Sequence, residues 1–128
     1  MRSRIAMIGA AFAAIGLGAP ALALNNPLVA PIRPVNGTTV HGNVTLFQLG
    51  GNVQVGLNVT GTGATPSSVD VRKGTCSSYA QAAKWPLGTA QETRLPNTTL
   101  QALVGDVVLI HKTSEETSPV VGCAAIKG

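Results

Sequence analysis

Aromatic side chains are scarce in this chain: one Trp, one Tyr and two Phe among 128 residues. A protein that stacks nucleic-acid bases needs several such rings beside a basic stripe. The bases outside the first twenty-three residues, Arg33, Arg72, Lys73, Lys84, Arg94, Lys112 and Lys127, are scattered, so nucleic acid is not expected as a partner. Histidine is equally rare, with His41 and His111 the whole supply. Metal redox catalysis normally needs several imidazoles, so that shortage counts against it. There is no Gly-x-Ser-x-Gly elbow, and the many Ser and Thr hydroxyls read as strand decoration rather than nucleophiles. No internal repeat is detectable, and no apolar run after residue 23 is long enough to span a bilayer.

What is present begins with an export signal. Met1-Arg2-Ser3-Arg4 is a basic start, followed by an apolar run from Ile5 to about Leu17. That run is short for a membrane span and is followed by Gly18 and Pro20, the pattern of a cleaved signal peptide. Ala21-Leu22-Ala23 places small residues at the two positions a signal peptidase reads, so cleavage is expected after Ala23, with Ala19 and Leu24 as alternative sites. Nine basic residues less Arg2 and Arg4 leaves seven against five acidic ones, a net charge of +2. The expected location is exported, periplasmic or secreted, with no transmembrane span after cleavage.

Cys76 and Cys123 are the only cysteines. An even count in an exported chain reads as a disulfide. Two free thiols or a metal-binding pair are the alternatives, although neither CxxC spacing nor a nearby histidine cluster accompanies them.

Residues 24–37 carry Pro27, Pro31 and Pro34, which predicts an extended, poorly hydrogen-bonded lead-in, a linker or an edge segment. A domain is expected over 38–128. Val53, Val55, Leu57 and Val59 alternate with Gln54, Gly56, Asn58 and Thr60 after Leu49-Gly50-Gly51, the signature of a β-hairpin with one buried face. Val69 and Val71 alternate with Asp70 and Arg72 in a third strand that ends at Gly74. Thr75 to Pro96 reads as a long loop, tied at Cys76, with a helical turn over Ser78 to Lys84. Thr98 to Val104, Val107 to His111 and Val120 to Ile126 read as three further strands, with the polar segment Lys112 to Pro119 between the last two. Short strands, Gly/Pro turns and no amphipathic helix predict an all-β fold, an antiparallel sandwich or barrel.

The order of these pieces resembles the copper/zinc superoxide dismutase fold, a Greek-key antiparallel β-sandwich related in architecture to immunoglobulin-like domains. The resemblance is carried by Val40-His41-Gly42-Asn43-Val44-Thr45-Leu46, the Gly50-Gly51 hairpin, the alternating valine strand, and Val69-Asp70-Val71-Arg72-Lys73-Gly74-Thr75-Cys76. Trp85-Pro86-Leu87, Leu109-Ile110-His111-Lys112 and Val121-Gly122-Cys123-Ala124-Ala125-Ile126 complete it. It spans Thr38 to Ile126 and implies a Cys76–Cys123 disulfide.

The same resemblance implies a degenerate metal site. The copper-binding His-x-His pair of that family falls on Asp70 and Arg72, and a third copper histidine falls on His111. The loop that would supply the bridging and zinc ligands, Thr75 to Pro96, holds no His or Asp. The arginine that guides superoxide falls on Val120, and His41 falls on no ligand position. The expected function is therefore a non-enzymatic, exported β-sandwich acting through its loops as a binding or envelope-associated module, with no cofactor and a protein or envelope partner. One alternative is weak copper or zinc binding by His111 and Asp70, with His41 as a further candidate ligand. Another is a structural adhesion or matrix component. Four Asn-x-Ser/Thr sequons, at Asn36, Asn43, Asn58 and Asn97, matter only in a cell that glycosylates its exports.

Overall fold

Alternation builds the centre of the sheet. In the computed structural model, which describes residues 24–63 and 67–128, β2 (His41–Leu49) and β3 (Asn52–Thr60) form a nine-pair antiparallel ladder closed at Gly50-Gly51. Val44, Leu46, Val53 and Val55 are buried on one face, while Asn43, Thr45, Gln54 and Asn58 occupy the other. A period of two leaves no other way to bury the valines. The expected signal peptide lies outside the described residues, as does part of the turn cluster after Gly61.

The remaining strands are β1 (Leu28–Pro34), β4 (Val69–Thr75), β5 (Ser78–Tyr79), β6 (Trp85–Gly88), β7 (Glu92–Leu95), β8 (Asp106–His111) and β9 (Val120–Ala125), with one helical turn, α1 (Leu100–Leu103). They pair in the order β5-β4-β8-β9-β1-β2-β3-β7, with β6 also on β4. Every pairing is antiparallel. The fold is thus all-β, a curled half-barrel joined by one disulfide. β1 makes the corner: Leu28 to Ile32 pair with β2, and Arg33 and Pro34 pair with β9. The concave side encloses the main core, to which β4 contributes Val69 and Val71, β8 Val108 and Ile110, and α1 Leu100 and Leu103.

Three local expectations change. The proline-containing lead-in is a full strand whose Leu28, Ala30 and Ile32 are buried in the core. Pro31 and Pro34 are tolerated because each is paired on one side only, Pro31 with β2 and Pro34 with β9, so a missing N–H costs no second ladder. Thr98 to Val104 is not a strand but α1: Thr99 Oγ1 accepts the Ala102 N–H at 3.1 Å, and Leu100 and Leu103, three apart, bury one helical face. Thr75 to Pro96 is not a long loop. It contains β5, β6 and β7, and Ser78 to Lys84 holds a two-residue strand and bends where a helical turn was expected. Strands of two to four residues are too short to display a period.

A second, smaller apolar cluster lies on the convex side of β8 and β9. Val107, Leu109 and Cys123 form it, with Val35, Val120 and Ala125 packed around them. This places a dry surface beside the outward-facing side chains of β4.

Candidate functional site

Asp70 and Arg72 share the outward face of β4, two residues apart, with Leu109 and Val107 as their β8 ladder partners. His111, two residues beyond Leu109 on β8, lies diagonally across from Asp70, within reach of a long side chain. Its Nε2 is 2.9 Å from Asp70 Oδ2. The Arg72 guanidinium grips the same carboxylate at two points, Nε on Oδ1 at 3.0 Å and Nη2 on Oδ2 at 3.1 Å. Such two-pronged, charge-assisted contacts are the strong class of hydrogen bond. The side chain of Asp70 is wholly buried, that of His111 is 2% exposed and that of Arg72 is 13% exposed.

Covering groups complete the enclosure. The Arg72 guanidinium carbon sits 5.7 Å from the centre of the Tyr79 ring on β5, a cation–π distance. The Lys112 to Pro119 segment folds over His111 and presents the Ser118 carbonyl to Nδ1 at 2.8 Å. That segment is itself ordered: Ser118 Oγ donates to the Glu115 carbonyl at 2.7 Å and accepts the Thr113 N–H at 3.1 Å. Ser68 and Thr113 join it to the start of β4 through a 2.8 Å backbone bond.

The chemistry follows from what each imidazole nitrogen faces. A carbonyl oxygen only accepts, so Nδ1 carries a hydrogen. Nε2 faces a carboxylate that already holds two guanidinium N–H groups, and at 2.9 Å the ring and the carboxylate share one hydrogen. Neither nitrogen turns a lone pair outward. A metal ion binds an imidazole through such a lone pair, and a general base needs one too. Asp70 is held by both Arg72 and His111, and with Ser118 on Nδ1 both imidazole nitrogens are engaged.

The structure therefore joins two of the candidate residues and separates the third. His41 opens β2, is exposed, and holds the Thr39 carbonyl with Nδ1 at 2.9 Å. β1 and β9 lie between its strand and β8. Among the described residues no group of three or more His, Cys, Asp or Glu side chains is arranged to hold a metal ion.

Cys76 and Cys123 form a disulfide with Cα atoms 5.9 Å apart. It anchors the Cys76 to Lys84 segment to β9, beside the small cluster of Val107 and Leu109. Lys84, at the end of that segment, pairs with the buried Asp106 at 2.8 Å.

Sequence reasoning singled out Asp70 and His111 but missed the partners that close them off. Arg72 was legible, because an Asp-x-Arg spacing in a strand puts both side chains on one face. Tyr79 and the Ser118 carbonyl were not, because only the folded loops bring them there. The four sequon asparagines are all exposed.

Comparison of the chain with protein-family models, with curated proteins and with solved structures returns no match.

Proposed function

We propose that this is an exported, non-enzymatic β-sandwich that serves as a binding or envelope-associated module, built on a superoxide dismutase-like scaffold whose metal position is filled by an internal ion-pair cluster. The observation that carries this reading is the closed unit of Arg72, Asp70 and His111. These are the three positions the resemblance assigns to copper ligands, and their side chains bind one another.

Export is supported by the leader sequence and by the Cys76–Cys123 disulfide, a bond that persists in oxidising compartments. Among the described residues no helix is long and apolar enough to cross a membrane. With reactive groups used internally, interaction falls to exposed surfaces rather than to chemistry at the cluster.

Native mass spectrometry of the protein recovered from the exported fraction, before and after reduction, tests the reading. The expected species lacks residues 1 to 23, is two hydrogens lighter than its reduced form and carries no metal. Stoichiometric copper or zinc that is lost on His111→Ala would replace this reading with the metal-binding one. Dismutation of superoxide by the copper-loaded protein at an enzyme's rate would end it.

A further inference from the structure

The convex face of β2 and β3 is made differently from the sealed face of β4 and β8. Val29, Thr45, Gly56 and Glu92 stand in one row across four strands through successive ladder pairs. Phe47, Gln54 and Arg94 form the next row. Because Gly56 has no side chain the first row has a gap, and a groove of about 580 Å³ opens there, within the size range of small-ligand sites.

Phe47 and Leu49 line this groove while remaining 40% and 38% exposed. They are two of only four large apolar side chains left exposed among the described residues. Pro27 and Leu57 add to this apolar lining, and Thr45, Gln54, Asn58 and Gln91 supply one hydroxyl and three amides beside a single carboxylate, Glu92. The side-chain amides of Asn58 and Gln91 make no hydrogen bond within the described residues, and Gln54 uses only Nε2, on Glu92 Oε1 at 3.2 Å.

We propose that this groove binds a neutral oligosaccharide. A pyranose ring has an apolar face of C–H groups and a rim of hydroxyls that both donate and accept. The lining offers the complement: an aromatic ring beside unengaged amides. An anionic ligand would find a carboxylate and no cation lining the groove. A wholly apolar partner would bury the Asn58 and Gln91 amides without hydrogen bonds, which is unfavourable. The inference goes beyond the proposed binding role, because it names a surface and a ligand class that the Arg72–Asp70–His111 cluster does not touch. Its failure would leave the argument from that cluster standing.

The test is a titration of the ¹⁵N-labelled exported protein with cellohexaose, chitohexaose and maltohexaose, followed by amide chemical shifts. The expected result is saturable shifts, for at least one of the three, centred on Phe47, Gly56, Asn58 and Glu92. Gly56→Val is the discriminating variant. A Cβ at this position meets only the Thr45 carbonyl oxygen, 4.0 Å away, and β-branched residues suit strands, so the variant folds while its side chain fills the groove floor. It should weaken binding about tenfold or more, as should Phe47→Ala. No shifts with any of the three sugars up to about 10 mM, or unchanged binding by Gly56→Val, would overturn the proposal. Concentration-dependent shifts of the same amides without sugar would overturn it in favour of self-association.

Discussion

Asp70 Oδ2 and His111 Nε2 meet at 2.9 Å across a diagonal of the β4–β8 ladder, and neither side chain has more than 2% of its surface in water. Arg72 completes the neutralisation of the carboxylate from its own strand. The cluster lies next to the small apolar patch of Val107, Leu109 and Cys123, so charge and oil share one covered surface. Three mutually bonded side chains order this face from within, with the Cys76 and Ser118 segments packed over it.

Removing the carboxylate should be costly. Asp70→Ala leaves the guanidinium and the imidazole facing each other across a buried gap with no counter-charge. Breaking a buried ion pair in this way typically costs about 3 to 5 kcal/mol. The triple variant Asp70→Leu, Arg72→Met, His111→Leu removes every charge at once and should recover most of that loss. Equilibrium urea unfolding of the single and triple variants checks both outcomes. A single variant as stable as the parent would show that the cluster contributes nothing to the fold.

The hydrogen bonding of the His111 ring is directly observable. Long-range ¹H–¹⁵N spectra should show both of its ring nitrogens hydrogen-bonded, Nδ1 to the Ser118 carbonyl and Nε2 to Asp70. Addition of equimolar zinc should leave those signals in place. A nitrogen in the unprotonated range, shifting on zinc addition, would mean that the contact opens readily and that the ring is available as a ligand.

How much of this was legible beforehand depended on pattern length. The β2–β3 hairpin and β4 declared themselves because nine-residue and seven-residue strands display several periods, and the disulfide followed from cysteine count and compartment. β5, β6 and β7 escaped because two to four residues hold no period. α1 was misread because Leu100, Leu103 and Val104 look like a strand when four residues are too few to reveal a helical face. Asp70 and His111 were visible as a pair only through the expected adjacency of their strands. Arg72 was legible from its spacing to Asp70, whereas closure by the Ser118 carbonyl and Tyr79 is a tertiary fact set by the folded loops.

The disulfide joins cysteines 47 residues apart, and chain-entropy arguments for a loop of that length give about 4 kcal/mol of stabilisation. Cys76→Ser with Cys123→Ala should lower the unfolding free energy by about that amount, alanine being chosen because Cys123 is buried among apolar neighbours. The local consequence is more diagnostic than the global one. The Ala80 N–H, bonded to the Lys73 carbonyl at 2.9 Å, should lose hydrogen-exchange protection first, because the segment it belongs to loses its tether to β9. Protection lost equally across β2 and β3 would show that the disulfide acts on the whole sheet rather than on this flap.

Gln48 performs a comparable task at the far end of the sheet. Its Oε1 accepts the Leu100 N–H at 2.8 Å, and its Nε2 lies within 3.1 Å of the Gly50, Asn52 and Thr98 carbonyls. An amide has two N–H groups, so three carbonyls share them and the hairpin turn is fastened to the start of α1. Gln48→Leu is one atom shorter, keeps an apolar branch in place and removes every one of these bonds, for an expected loss of about 2 to 3 kcal/mol at roughly 1 kcal/mol per net hydrogen bond. Gln48→Glu retains the acceptor for Leu100 but turns acceptors toward carbonyl oxygens, so it should be no more stable than Gln48→Leu. Urea unfolding ranks the two variants. Exchange at the Leu100 amide separates the mechanisms, because it should stay protected in Gln48→Glu and open in Gln48→Leu.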